Sequence, residues 1–241
     1  MRLVSLCPST TETLIAYGLG ASLVGITKFC IHPADIVRDI SKVGGTKNPD
    51  VAKIRALAPD LVLMNAEENR KEDHAALAET LRVDVTHPRT VGEVPALLRH
   101  FGAVTDARDR AEDHARKLED ALSRLASTPS WRYAYLIWKK PWMAAGTGTY
   151  IADLFARAGG VNVVAAPLYP EVTLEAIAAK RPDQVILPDE PFPFGAEHVP
   201  EVASVVGPRV VCVSGDDACW HGMRSIRGVA LAASLGSRFR A

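Results

Sequence analysis

Ile54-Arg-Ala-Leu-Ala-Pro59-Asp60-Leu-Val-Leu-Met64 returns later in the chain as Ile177-Ala-Ala-Lys-Arg-Pro182-Asp183-Gln-Val-Ile-Leu187. Each copy reads as the end of a helix, a proline that cannot continue it, and an apolar run of the right length for a buried strand. A second pair supports the duplication. Thr11-Glu-Thr-Leu-Ile-Ala-Tyr-Gly18-Leu-Gly20 and Tyr150-Ile-Ala-Asp-Leu-Phe-Ala-Arg-Ala-Gly159-Gly160 both look like short amphipathic helices closed by glycine. The duplication predicts two similar α/β lobes. Two lobes make a cleft, and the strand-to-loop exits facing it are where an open parallel sheet places ligand chemistry.

Outward from the repeat, strands and helices alternate. The first lobe, residues 1–90, is expected to run strand 2–6, helix 10–18, strand 24–27, helix 50–57, strand 60–64, helix 70–81 and strand 83–86. The second, 130–241, runs strand 132–138, helix 149–158, strand 161–164, helix 173–179, strand 183–187, helix 197–205, strand 209–213 and helix 224–235. Alternation of this kind implies parallel sheets. The intervening 91–129 reads as a helical connector. From Thr105 to Ser127 it has neither proline nor glycine, and Ala107, Ala111, Ala115, Leu118, Leu122 and Leu125 share one helical face, which predicts a single long helix over most of 106–126.

Composition narrows the function classes. Lysine plus arginine equals aspartate plus glutamate at 28 each, so no bulk field points to nucleic acid or a membrane surface. No apolar run approaches the roughly 18 residues of a membrane span. The chain opens on a strand-like Met1-Arg-Leu-Val-Ser-Leu-Cys7 without a secretory signal, which reads as cytoplasmic as the sequence stands, or periplasmic if its N-terminus has been trimmed. Cys7, Cys30, Cys212 and Cys219 are too few for a disulfide framework in 241 residues and are read as thiols.

The chemistry-bearing residues follow the strands. Cys7-Pro8-Ser9-Thr10-Thr11-Glu12 has capping-box spacing at Ser9 and Glu12 and would present backbone N–H groups at a helix start. Glu67, Glu68 and Asn69 follow the strand ending at Met64. Asp189, Glu190 and Phe192 follow another, and Asp216 and Trp220 a third, while Trp142 and Tyr169 occupy similar connections and could join the phenylalanines in a stacking platform. Two Cys-x-His pairs, Cys30-Ile-His32 and Cys219-Trp-His221, offer soft and borderline ligands for a transition metal, one pair from each lobe. No Gly-x-Ser-x-Gly elbow, P-loop or Gly-x-Gly-x-x-Gly is present, and no nucleophile–base pair is legible, so the chain reads as non-enzymatic.

Taken together, Val4-Ser-Leu-Cys-Pro8-Ser9-Thr-Thr-Glu12, Gly18-Leu-Gly20, Val24-Gly25-Ile-Thr27, Val43-Gly44-Gly45 and Leu57-Ala-Pro59-Asp60-Leu-Val-Leu63 resemble the substrate-binding proteins of vitamin B12, haem and iron-siderophore ABC importers, whose two lobes are bridged by one long helix. Thr27-Lys-Phe-Cys30-Ile-His32-Pro33 and Pro188-Asp189-Glu190-Pro191-Phe192 are similar to a signal-less subgroup known as helical-backbone metal receptors. The resemblance implies that the loops around Ser9–Glu12, Glu67–Asn69, Trp142, Asp189–Phe192 and Asp216–His221 contact ligand, with an ABC permease as partner met through Glu72 and Glu197. The expected function is non-enzymatic binding of a metal ion, metal chelate or cobalamin-like corrinoid. The alternatives are a cytoplasmic metal sensor or carrier, and a metal-dependent enzyme of chelatase-like form.

Overall fold

A computed structural model describes residues 1–125 and 130–239. Among these, no helix is long and apolar enough to cross a membrane. The chain divides into two compact units. One holds Met1–Pro88, Val94–Arg116 and His221–Met223; the other holds Arg89–Glu93, Lys117–Trp220 and Arg224–Ala241.

In the first unit the chain runs β1 (Leu3–Ser5), α1 (Pro8–Ala16), β2 (Leu23–Ile26), α2 (Ala34–Val37), α3 (Val51–Ala56), β3 (Leu61–Asn65), α4 (Lys71–Ala78) and β4 (Val83–Thr86). The four strands form one parallel sheet in the order β2-β1-β3-β4, with Leu3 opposite Leu61 and Val62 opposite Val83. Parallel sheets are covered on both faces, which is why β3 reads as an unbroken apolar run and is buried at every residue. Val4, Leu6, Val43, Ile54, Val62, Met64 and Leu77 form a core on one side.

Two helices follow, α5 (Val94–Val104) and α6 (Arg108–Ser123), where the sequence reading resolved one connecting segment with a single long helix. Asp106 breaks the path with a positive φ of 59°, and the α6 backbone then starts against Gly102, where any side chain would collide with Ala111. The expected helix is present over Arg108–Ser123; position 126 lies outside the described residues. Ala111, Ala115 and Leu118 are buried along its predicted stripe, and the boundary between the units falls inside it, after Arg116.

The second unit contains β5 (Trp131–Trp138), β6 (Met143–Ala144), α7 (Tyr150–Arg157), β7 (Gly160–Asn162), α8 (Leu174–Ala179), β8 (Gln184–Pro188), α9 (Val199–Val206), β9 (Val210–Val213), α10 (Gly215–Cys219) and α11 (Ser225–Ser237). Its sheet has the order β6-β5-β8-β9, and β7 pairs in parallel with the first half of β5 while β6 pairs antiparallel with its second half. Alternation along β5 sends Trp131, Tyr133 and Tyr135 to one face, where they pack edge and face on Phe155, and Ala134 and Leu136 to the other, beside Val185, Leu187 and Val202.

The repeated Pro-Asp turn is built the same way twice. Asp60 accepts the Arg2 N–H at 2.6 Å and gives its own N–H to the Arg2 carbonyl, while the Arg2 guanidinium caps the Leu57 carbonyl at 2.6 Å. Asp183 accepts the Arg132 N–H at 2.7 Å and gives its N–H to the Arg132 carbonyl, while the Arg132 guanidinium caps the Lys180 carbonyl at 2.7 Å. Ala58 and Arg181, each the residue before the proline, have φ of 44° and 49°. We expect Asp60→Ala and Asp183→Ala each to lose about 1 kcal/mol of unfolding free energy in urea, the usual net worth of one such hydrogen bond. Because each serves its own sheet, the losses should add in the double variant; a clearly non-additive double variant would contradict the two independent clasps.

Candidate functional site

Parallel strands place all their carboxyl ends at one edge of each sheet, and the predicted site residues lie on the loops that leave those edges. In the first unit β1 runs into α1. Cys7 is the cap residue and Pro8 occupies the first turn, with no side chain bonded to the helix end. This corrects the expected Ser9–Glu12 capping box: proline's fixed φ starts the helix one residue before Ser9, which lies inside the first turn with Oγ 3.2 Å from the Cys7 sulfur. Ser9 and Thr10 are buried, and Glu12 is half-buried.

After β3, the Asn65 side chain accepts the N–H groups of Glu67 and Glu68 at 2.9 and 3.2 Å, folding the loop back on itself. Asn69 then uses its whole amide as a staple. Its Oδ1 accepts the Asn65 N–H at 2.8 Å, and its Nδ2 donates to the carbonyls of Leu6 and Thr46 at 3.0 and 2.9 Å, so it ties three loops together. Glu67 is exposed, whereas burial pushes the Glu68 carboxyl above its ordinary pKa against the opposing pull of Lys47. The Cys7 thiol, buried and facing the field of Glu68, is raised to about 11 and stays protonated.

His221 belongs with this first unit. The Met223 N–H donates to the Thr13 hydroxyl at 3.2 Å, and Gly222, with φ of 91°, lies so close to Thr13 that a side chain there would collide with its hydroxyl. Burial lowers the His221 pKa to about 4; Glu67 pulls it up by less, and His87 lowers it further. The ring is neutral at pH 7.

In the second unit the loops after β8 and β9 are joined. The Asp189 carboxylate accepts the Gly215 N–H at 2.7 Å, and the Glu190 carboxylate accepts the Trp220 indole N–H at 3.4 Å. The Arg224 guanidinium stacks 5.0 Å over Trp220 and pairs with Asp216 and Asp217 at 3.4 and 3.3 Å. Asp216 is thereby neutralised inside the unit. Asp189, Glu190, Tyr169 and Cys219 all bear on Tyr135, whose buried hydroxyl has no hydrogen-bond partner and whose pKa burial drives upward.

Of the aromatics expected to stack, Trp142 and the two phenylalanines come together, joined by Trp138 and His198. Trp142 stacks on Phe194 with centroids 6.0 Å apart, Phe192 meets Phe194 at 4.6 Å, and Trp138 meets Phe192 edge-on at 5.6 Å. His198 sits edge-on to both phenylalanines. Phe194 is core; Trp138 is 41% exposed and was read only as the end of a strand. Its alternation with Leu136 was the available signal.

The Cys-x-His pairs do not group. Among the described residues, no three His, Cys, Asp or Glu side chains assemble as a metal set. Cys30 is buried with its sulfur 3.1 and 3.2 Å from the Thr11 and Thr27 hydroxyls, and burial raises its pKa, so the thiolate a metal needs is disfavoured. Cys219 closes α10 in the second unit, His32 lies half-buried in the loop after β2, and His221 is held in the first unit.

Comparison with known proteins follows the same outline. The vitamin B12-binding protein of Vibrio cholerae is 29% identical over 197 residues, covering 78% of this chain and 70% of that one. Among solved structures, the periplasmic vitamin B12 binding protein of Vibrio cholerae superposes with a TM-score of 0.85 at 23% identity over 98% of this chain and 96% of that one. A periplasmic haem binding protein from Pseudomonas aeruginosa gives 0.85 at 21% over 100% and 94%. Residues 3–197 match the model of a single family, and the chain belongs to the periplasmic binding proteins.

Proposed function

We propose that the protein binds a metal-bearing macrocycle or chelate, of corrinoid or tetrapyrrole kind, at the loops on the carboxyl edges of its sheets, and does so without catalysis. The observation that carries this reading is the pairing of chemistries at those edges. In the second unit Asp189 and Glu190 supply acceptors and Trp138, Trp142 and Phe192 supply flat apolar area, and the first unit carries Glu67 and Glu68 at its own sheet edge. A rigid aromatic surface with a few polar groups suits a broad, partly polar ring system. Family membership supports binding over turnover, and the curated relatives are named for vitamin B12. Among the described residues no donor set is grouped to receive a bare ion, which favours a chelate. A chelate brings its own ligands, so the protein needs only to recognise its periphery. Glu72 and Glu197, both exposed, are the acids that would meet an ABC permease in delivery.

Absorbance and calorimetric titrations with cyanocobalamin, hemin and free Co²⁺ or Fe²⁺ test the reading. One of the two macrocycles should bind with one-to-one saturation, and Trp142→Ala should weaken it about tenfold, the order expected for removing one aromatic anchor. Saturable binding of free metal with no response to either macrocycle would overturn it.

The buried His221 also sets a pH response. Its pKa falls from an ordinary 6.5 to about 4 on folding, so the unfolded chain binds the proton more readily. The stability this represents, roughly 3 kcal/mol, is fully present above pH 6.5 and is lost progressively as the pH falls toward 4. Glu68, shifted upward, opposes it by gaining stability on acidification. Urea midpoints of wild type should fall through that window, and His221→Gln should flatten the fall; an unchanged slope in the variant would remove His221 as its source.

A further inference from the structure

The amino-terminal edge of the second sheet, opposite the edge that carries the aromatic platform, holds a cavity of about 450 Å³ lined by Asp183, Gln184, Arg209, Val210, Arg238 and Phe239. Strands β8 and β9 begin there, at Gln184 and Val210. Gln184 is the anomalous residue. The sequence repeat aligns it with Leu61, one step after the aspartate of the turn, and Leu61 is wholly buried at the start of β3. In the second copy that core position carries an amide. The residue is only 6% exposed, and its Oε1 has no hydrogen-bond partner. A buried acceptor without a donor opposes folding, and the twin position shows that the strand start has no need of one.

The rest of the lining explains what the amide could serve. Arg209 is exposed and reaches Asp183 only at 3.8 Å, while Asp183 is already engaged by the Arg132 N–H at 2.7 Å. Arg238, at the end of α11, adds a second exposed guanidinium. Phe239 gives a flat wall, its ring stacked on Trp131 with centroids 5.4 Å apart and 8° between planes. Guanidinium forks match the oxygens of carboxylates and phosphates.

We infer that this cavity is a second ligand site, for a small carboxylate or phosphate anion that also carries a hydrogen-bond donor. The anionic oxygens lie against Arg209 and Arg238, and the donor satisfies Gln184 Oε1. The site is confined to the second unit and does not depend on what the carboxyl-edge loops bind.

Gln184 is the chain's single glutamine, so labelling glutamine side chains with ¹⁵N in the full-length protein reports on this one amide. The labelled protein is titrated with glycolate, with inorganic phosphate, and with acetate, which has glycolate's carboxylate but not its hydroxyl. Saturable shifts with glycolate or phosphate, with acetate about tenfold weaker, are expected, and Arg238→Ala should weaken the binding by about the same factor. Gln184→Leu, which installs the residue of the first copy, should be more stable than wild type without anion and should bind glycolate no better than acetate by calorimetry. Shifts that grow without saturating for all three anions, or a response that Arg238→Ala leaves unchanged, would overturn the site.

Discussion

A carboxylate clasp at the start of each central strand pair is the constraint from which the rest of the molecule follows. Parallel strands have no hairpin to fix their register, so something else must set it. Here the aspartate after the proline reaches across to the backbone N–H at the head of β1 or β5, and the arginine carrying that N–H caps the preceding helix. One exchange of bonds therefore ends a helix, turns the chain and aligns two strands. With Leu3 opposite Leu61 and Tyr133 opposite Gln184, the carboxyl ends of those strands come out level, and the loops leaving them become neighbours.

Neighbouring loops at a sheet edge bury polar backbone, and each such group needs a partner. The first unit meets this with amides: Asn65 folds its own loop, and Asn69 joins the segments after β1 and β3 to Thr46. The second unit uses charge. Asp189 holds the start of α10, and Arg224 gathers Asp216, Asp217 and Trp220. Side chains used in this way hold the loops in place. Glu67 and Trp138 keep exposed surface at these edges.

Most of the fold was legible because its signals are local. The repeat, the glycine-closed helices and the apolar runs are properties of short windows, and the strands and helices stand close to where those windows place them. Errors came where two local signals compete or where a partner is distant in sequence. Pro8 outranked the Ser9–Glu12 spacing because a fixed backbone angle is a stronger constraint than one side-chain bond. Asp106 separates α5 from α6 through a backbone conformation that its residue type only weakly advertises, so the sequence marks a helix over 106–126 and leaves α5 unresolved within the helical segment 91–129. Cys30 looked like a ligand because its consumers, Thr11 and Thr27, are identified only by the fold. His221 was placed with the residues before it, although the chain at that point rejoins the first unit through Thr13, a contact 210 residues away.

The two copies also show what duplication preserves and what it releases. The backbone N–H bonds at the clasp, 2.6 and 2.7 Å, agree to within a tenth of an ångström, and the residue just before each proline keeps a positive φ, 44° and 49°. Side chains one residue further on differ, leucine in one copy and glutamine in the other, and beyond the carboxyl ends acids follow β3 and β8 alike while a buried thiol follows β1 and aromatics follow β8 and β5. A lost register misplaces every residue of a strand at once, so the clasp guards against a collective penalty. Loops at the far edge carry no such collective penalty, so they are free to acquire different chemistries in the two units. Each unit therefore keeps the same strand register while its carboxyl-edge loops carry their own chemistry.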